Sequence, residues 1–386
     1  MTEIVLQSQL RNRGKFLEQS AQQYDPLFPG DSIGIQEAIA SRRNMTDYTQ
    51  RAVLGSSLLC ELRELYYTSE CYLLIEMAAL TAGTYSDYLG ISLIDRIVVR
   101  HGDVLQEFNY SQAIEHILTN WGSDSKRRQF LNSVGPSTGV ANPGAFVVPL
   151  PVFWSKLIDP NNAPLPTHML QSPVQIEIYF RTGANIASAA GVGMGFTSVK
   201  FMQEQIDTTA VVKSNHLSMI DSWNYKSLDF QTSRRYTLAS GTPLDIDLSY
   251  LDGSFTGLLV ISVPETDITT AKNYFYKDTI DSYELEIDGQ LYGQTQNSVI
   301  MEYESLFLKG INATSTNLNL YHATWVPFSL TAEGAVRDFS GVLDMADVKH
   351  LILKLTSSTG VNQSVEVLGV RHVSYSIRNG FLSKFK

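Results

Sequence analysis

Ala145-Phe-Val-Val-Pro-Leu-Pro-Val-Phe-Trp154, then a loop, then Leu170-Gln-Ser-Pro-Val-Gln-Ile-Glu-Ile-Tyr-Phe180 is the stretch that sets the fold class. Its first half is an apolar run interrupted only by Pro149 and Pro151. The loop, residues 159–166, is rich in Pro, Asn and Asp, and Met169 and Leu170 form a short apolar patch behind it. Val174, Ile176, Ile178 and Phe180 then alternate with Gln175, Glu177 and Tyr179. Period-two alternation marks a strand with one buried face. Proline has no amide hydrogen to give to a ladder, so the first segment is expected to be an edge strand, or to end or bulge at its prolines.

The same order returns about half a chain later. Tyr321-His-Ala-Thr-Trp-Val-Pro-Phe328 is an aromatic strand ending in Val-Pro, followed by a loop with Gly334 and Gly341 and a patch at Leu343 and Met345. Leu351, Leu353 and Leu355 alternate behind it. Pro327 follows Pro149 by 178 positions, and Leu351 follows Ile176 by 175. That near-constant offset is too long for a solenoid or propeller repeat. It implies two similar domains in tandem, and 386 residues are enough for both.

Composition narrows the function. Hydrophobic residues make up 44%, charged residues only 18%, with 19 Tyr and 17 Phe. Aromatics favour sheets, and low charge with many aromatics suits a protein that covers much of its surface with neighbours. An ordinary β-rich globular protein has the same composition. The net charge of −10 argues against coating nucleic acid, where phosphate neutralisation supplies most non-specific affinity. No run of 18 apolar residues is present, and no apolar run followed by a cleavage site opens the chain, so neither a membrane span nor a secretory signal is expected. Two cysteines, Cys60 and Cys71, point to folding in a reducing cytosol.

Along the chain, Leu6, Leu10 and Leu17 share one helical face with Phe16 beside it, and Arg11, Arg13 and Lys15 stand together around Gly14. This predicts an amphipathic arm on a membrane surface or a neighbouring subunit, or a helix packed on its own domain. Residues 51–67 read as one long strand, 70–80 as a second apolar stretch and 83–90 as a tyrosine-rich loop. Residues 93–100 and 104–108 read as a hairpin around Gly102-Asp103. Ala113, Ile114, Ile117, Leu118 and Trp121 predict a helix over 111–121, capped by Ser111 and ended by Gly122. Residues 124–144 read as an exposed loop. In the second half, strands are expected over 244–250, 257–263, 283–287, 321–328, 351–355 and 365–370, a density that implies a sandwich or barrel. Residues 371–386 carry Arg371, Arg378, Lys384 and Lys386 with no acid, and residues 1–20 sum to +1, which leaves about −15 on the middle. Such ends can meet an anionic surface such as lipid head groups, or simply be solvated.

Sites for chemistry are weak. Gly191-Val-Gly-Met-Gly195 matches neither a dinucleotide fingerprint nor a P-loop. The seven histidines have no zinc spacing, and two cysteines cannot build a structural zinc site. Asp245 and Asp247 share a strand face but do not fit a calcium loop. Asn312-Ala-Thr314 is a glycosylation sequon that means little without a secretory signal. No catalytic residue, cofactor or metal is expected.

The Val-Pro-Leu-Pro strand, the loop with Leu-Pro and the alternating strand resemble the first jelly roll of double jelly-roll major capsid proteins of tailless icosahedral viruses. Val-Pro-Phe-Ser-Leu, Phe339-Ser-Gly-Val-Leu-Asp and Leu351-Ile-Leu-Lys-Leu are similar to the matching part of their second jelly roll, and Tyr283-Glu-Leu-Glu-Ile-Asp-Gly289 to a strand with a Gly turn. The resemblance implies an all-β chain of two tandem eight-stranded jelly rolls, with an N-terminal helical arm and one short inserted helix. The expected division is an arm over 1–24, a first jelly roll over 25–185, a linker and connecting strand over 186–220, and a second jelly roll over 221–386 with a basic C-terminal tail.

It further implies a non-enzymatic structural protein, a homotrimeric pseudo-hexagonal capsomer tiling a shell over an internal membrane, in a bacteriophage-like member lacking long loop insertions. Expected partners are the chain itself, neighbouring capsomers, penton and minor capsid proteins and the lipid, without sequence-specific nucleic-acid binding. The expected place is the virion, assembled in the host cytoplasm. Expected membrane or neighbour contacts are Leu6, Leu10, Arg11, Arg13, Lys15, Phe16, Leu17, Arg378, Lys384 and Lys386. The alternative is a carbohydrate-binding or carbohydrate-active sandwich whose tryptophans, at 121, 154, 223 and 325, stack on sugars. The place of Trp154 and Trp325 inside the repeated strands favours core packing instead.

Overall fold

The computed structural model describes residues 40–64, 66–120, 124–159, 162–188, 193–207, 217, 223–272, 280–295, 324–328 and 341–385. The proposed arm, Leu6 to Leu17, lies outside them, as do Trp121, the Asn312 sequon and Lys386.

Eight principal strands build the first sandwich: β1 (Ala40–Asp47), β2 (Ser57–Glu61), β3 (Tyr67–Met77), β4 (Ile94–His101), β5 (Asp103–Asn109), β6 (Ala145–Pro149), β8 (Gln175–Phe180) and β9 (Phe196–Asp207). A two-residue strand, β7 (Leu165–Pro166), pairs with the start of β3. One sheet runs β1-β9-β3-β6 and the other β2-β8-β4-β5. Every pairing is antiparallel.

The second half repeats this plan with β10 (Asn224–Thr232), β12 (Leu244–Asp247), β14 (Gly257–Pro264), β15 (Ser282–Ile287), β16 (Gln290–Thr295), β17 (Thr324–Pro327), β19 (Leu351–Thr356) and β20 (Gln363–Arg378). Its sheets run β10-β20-β14-β17 and β12-β19-β15-β16. Short strands β11 (Tyr236–Leu238) and β21 (Phe381–Phe385) extend the first of these along β20, and β13 (Ser254–Phe255) pairs with β18 (Leu343–Asp344). Numbering the principal strands one to eight within each half, both halves read 1-8-3-6 over 2-7-4-5. That is the doubly wound Greek key of a jelly roll, made twice.

The quoted strands sit as the alternation requires. Ile176, Ile178 and Phe180 on β8, and Leu351, Leu353 and Leu355 on β19, face the two sandwich cores. Pro149 and Pro327 are the last residues of β6 and β17, each at the edge of its sheet, where a missing amide hydrogen costs no ladder bond.

Several local expectations are corrected. The single strand over 51–67 is two: β2 ends at Glu61, and the chain turns before β3 begins at Tyr67. The loop over 83–90 runs into a short buried helix, α1 (Leu89–Leu93). The inserted helix forms as α2 (Tyr110–Asn120), but the exposed loop expected after it contains another helix, α3 (Asp124–Ser133). Phe130, Leu131 and Val134 are buried at its end, which anchors an otherwise polar segment to the core. Residues 371–385 are no loose tail. They are the second half of β20 and the β21 hairpin strand, joined by a tight turn at Asn379-Gly380 with φ of 52° and 76°. Residues 196–207, read from sequence within the connecting segment, form β9 between β1 and β3.

Candidate functional site

The second sandwich's β10-β20-β14-β17 sheet is buried on both faces. Leu258 and Val260 on one side of β14 belong to that sandwich's own core, as do Val365 and Val367 of β20. Leu259, Ile261 and Val263 on the other side, with Leu368, Val370 and Trp325, join the cluster that is continuous with the first sandwich. This is why all eight residues of β14 are buried and its sequence, Ser262 apart, is apolar without alternation. Gly257 lies against the Trp325 indole, where any side chain would strike the ring.

Three groups close the seam between the sandwiches. The loop after β6 inserts Phe153, whose ring stacks on Tyr375 (4.2 Å, 18°) and meets Tyr225 (5.5 Å) and Trp154 (4.8 Å) edge-on. The Tyr225 hydroxyl donates to the Pro164 carbonyl at 3.1 Å. Burial raises the phenol pKa of Tyr225 and Tyr375 well above the usual value, so both remain neutral donors.

From α2, Gln112 Nε2 donates to Glu366 Oε2 (2.6 Å), and the Thr232 hydroxyl donates to Gln112 Oε1 (2.9 Å). The ring of His116 lies 5.3 Å from that of Phe230 and 6.0 Å from that of Trp325. A small cleft lined by Gln112, Glu115, Arg181, Arg235 and Glu366 opens at this polar edge.

The third group is the β20–β21 hairpin, whose tip docks on the first sandwich. The Gln171 amide donates to the Gly380 carbonyl (3.0 Å), and Gln171 Nε2 to that of Asn379 (2.9 Å). The Leu382 amide donates to His101 Nδ1 (3.2 Å), and His101 Nε2 lies 3.0 Å from the Ser172 carbonyl. Both bonds hold only for a neutral ring protonated at Nε2.

Desolvation lowers the His101 pKa, with the Ser172 bond opposing it. A group whose folded pKa is depressed contributes stability above its unfolded pKa, about 6.5 for histidine, and loses it as pH falls from there towards the folded value. The urea midpoint is therefore expected to drop between pH 7.5 and 5, by the equivalent of about 1 kcal/mol for one forfeited hydrogen bond. His101→Gln should flatten that slope; an unchanged slope in the variant would assign it to other groups.

Two of the expected site residues, Arg378 and Lys384, are among the described ones. Leu6, Leu10, Arg11, Arg13, Lys15, Phe16, Leu17 and Lys386 lie outside the described residues. Arg378 is exposed, its guanidinium 4.9 Å from the Phe385 ring centroid. Lys384 reaches inward, with Nζ 2.9 Å from Asp229 Oδ2. Asp229 also takes Arg371 Nε (3.0 Å) and Nη2 (2.5 Å), and Arg371 Nη1 donates to the Asp252 carbonyl (2.8 Å). Two of the four C-terminal basic residues thus serve a buried ion cluster. Trp154, Trp223 and Trp325 are buried in the cores and the seam, which removes them from any sugar-stacking surface. Asp247 accepts the Ser249 amide (2.9 Å), closing a turn beside β12. Burial pushes the Cys60 thiol pKa up to about 12 and that of Cys71 well above its ordinary value, so neither offers a thiolate. Among the described residues no group of three metal-ligating side chains gathers, and no helix is long and apolar enough to cross a membrane.

No protein-family model and no curated protein matches the sequence. Solved structures match the fold over nearly its whole length. PBCV-1 VP54, as fitted into a cryo-EM reconstruction of the virophage Sputnik, superposes with a TM-score of 0.71 at 10% identity, over 92% of this chain and 98% of that one. The chain has the double jelly-roll fold of viral major capsid proteins. The Faustovirus major capsid protein is similar at a TM-score of 0.61 and 11% identity, covering 90% and 92%. The STIV MCP follows at 0.53 and 12%, covering 87% and 96%. At such identities the double jelly roll is shared through strand order rather than side chains.

Proposed function

We propose that this chain is a viral major capsid protein, a structural and non-catalytic subunit of the virion. Three copies close into a capsomer of six sandwiches, and the capsomers tile an icosahedral shell. The observation that carries this reading is the repeat itself: two sandwiches of identical strand order, fixed to each other through the Phe153 plug, α2 and the C-terminal hairpin. A subunit with two similar, rigidly joined bodies turns threefold symmetry into approximate sixfold symmetry, and each closed ring uses one interface three times. The resemblance to capsid proteins supports the same conclusion.

Within that reading the N-terminal segment, Leu6 to Leu17, and the exposed Arg378 contact neighbouring capsomers or an internal membrane, with penton and minor capsid proteins as further partners. A bacteriophage-like member assembled in the host cytoplasm suits the chain. The sugar-binding alternative loses its stacking surface with the burial of Trp154, Trp223 and Trp325.

Light scattering on the purified 43.0 kDa subunit tests the proposal. A single species near three times that mass is expected. A clean monomer across a wide concentration range would overturn it.

A further inference from the structure

The chain enters and leaves β1 at opposite ends of the first sandwich. It enters at Ala40, which stands opposite Asp207. At the far end Asp47 stands opposite Lys200, and Met77, the last residue of β3, stands opposite Phe196, the first of β9. There the turn after β1 and the start of β9 enclose a hollow lined by Asp47, Arg51, Thr197, Ser198 and Lys200, with the buried Tyr48 in its wall. Hydrogen bonds set its backbone. The Tyr48 amide donates to the Val199 carbonyl (2.8 Å), and the Val199 amide to Thr49 Oγ1 (3.0 Å). The Arg51 and Ala52 amides both donate to the Tyr48 carbonyl (2.8 and 3.0 Å).

The donors on this fixed frame are unspent. The side chains of Arg51, Lys200, Thr197 and Ser198 make no hydrogen bond or ion pair among the described residues. Asp47 is ionised at neutral pH, because the Thr49 hydroxyl and amide, with the nearby Lys200 ammonium, hold its carboxyl below the ordinary value. Two cations against one carboxylate leave the hollow at +1, in a chain whose net charge is −10. That is the charge which a single carboxylate on a ligand neutralises. Glu76, exposed and opposite Ser198 on β3, is a second acid beside the donors. Asp47 and Glu76 repel a doubly charged phosphate, but accept hydrogen bonds from hydroxyl groups. A molecule with one carboxylate and several hydroxyls is an acidic sugar.

We infer that this hollow binds a carboxylated sugar, a sialic or uronic acid residue of a glycan. Arg51 and Lys200 take the carboxylate, the guanidinium supplying the paired donors that suit its two oxygens. Thr197, Ser198 and Asp47 take the hydroxyls. Recognition of this kind rests on donors and charge and needs no exposed tryptophan. The source of the glycan follows from the capsomer reading, on which this part of the inference rests. If the segment before Ala40 meets the inside of the shell, the opposite end of the sandwich faces out, and the glycan is one on a host surface.

The test is titration of the full chain with 3′-sialyllactose and glucuronic acid, against lactose and inorganic phosphate, read by calorimetry and saturation-transfer NMR. At least one acidic sugar is expected to bind at least tenfold more tightly than lactose or phosphate. Arg51→Ala together with Lys200→Ala should weaken that binding at least tenfold, with unchanged far-ultraviolet circular dichroism. Should the double variant fail to fold, Arg51→Glu, a reversal of an exposed charge, is expected to give the same loss. No binding of either acidic sugar, phosphate bound as tightly as the sugars, or full binding by a folded variant would each overturn the inference. Light scattering on the same samples keeps the two readings apart. A trimer that ignores acidic sugars overturns the site alone, and a monomer that binds them overturns the capsomer alone.

Discussion

Asp229→Ala is expected to destabilise the protein by about 3–5 kcal/mol, the cost of leaving a buried charge without its partner. Asp229 and Arg371 stand directly opposite each other on β10 and β20, each side chain only 7% exposed. Lys384 joins from β21. Removing the carboxylate leaves two cations facing each other away from water. It also frees Arg371 from the geometry in which it holds the Asp252 carbonyl. The loss should appear in urea or guanidinium unfolding and persist at high salt, because buried pairs are screened far less than exposed ones. The second half of the argument is Asp229→Leu combined with Arg371→Met and Lys384→Met. If the penalty is uncompensated charge, this triple variant should recover most of the stability, as apolar replacements of buried ion pairs often do. If it stays as unstable as Asp229→Ala, the hydrogen bond to the Asp252 carbonyl is the larger part and the charge argument fails.

That cluster also shows where sequence reading stops. Asp229 and Arg371 are 142 positions apart, and from sequence Arg371 and Lys384 look like a basic tail. Nothing in their spacing reveals that one carboxylate gathers them. Strands with one wet face are different. The alternation of Ile176 and Ile178, or of Leu351, Leu353 and Leu355, is the direct imprint of a core on one side, so β8 and β19 are legible, as are the 102–103 hairpin and α2.

β9 fades after Phe201 because its inward positions become Gln203 and Gln205. Gln203 is buried through hydrogen bonds, its Nε2 donating to Thr68 Oγ1 (2.7 Å) and to the Arg63 carbonyl (3.2 Å), and polar satisfaction of this kind leaves no apolar period to read. β1, Ala-Ser-Arg-Arg-Asn-Met-Thr-Asp, is an edge strand whose inward Asn44 and Thr46 are likewise polar. β14 gives the opposite difficulty. Both of its faces are dry, so it is apolar at every position but Ser262, and only the fold shows that one face belongs to a neighbouring body. The two sandwiches were therefore readable as units, but the seam that makes them one subunit was not.

Phe153→Ala should strike that seam. Phe153 is fully buried, comes from the first sandwich, and rests on Tyr225 and Tyr375 of the second. Truncating a buried Phe costs about 3–5 kcal/mol, and the lost aromatic pairs are worth about 0.5–1.5 kcal/mol each beyond area. The position of the loss matters more than its size. The core around Leu351, Leu353 and Leu355 does not contain this ring, so the second sandwich retains its own packing, while the contact that couples the two loses its central knob. Calorimetry is expected to show one cooperative transition in the wild type, and in the variant a lower and split one, because two bodies joined by a weakened interface unfold separately. Trimer closure should fail with it, since a subunit whose two bodies rock against each other cannot present both contacting faces in register. A single sharp transition, merely shifted down in temperature, would place the coupling in α2 and the Gln171–Gly380 docking of the hairpin instead. His116→Ala and Gly380→Val would then be expected to split the transition that Phe153→Ala left whole.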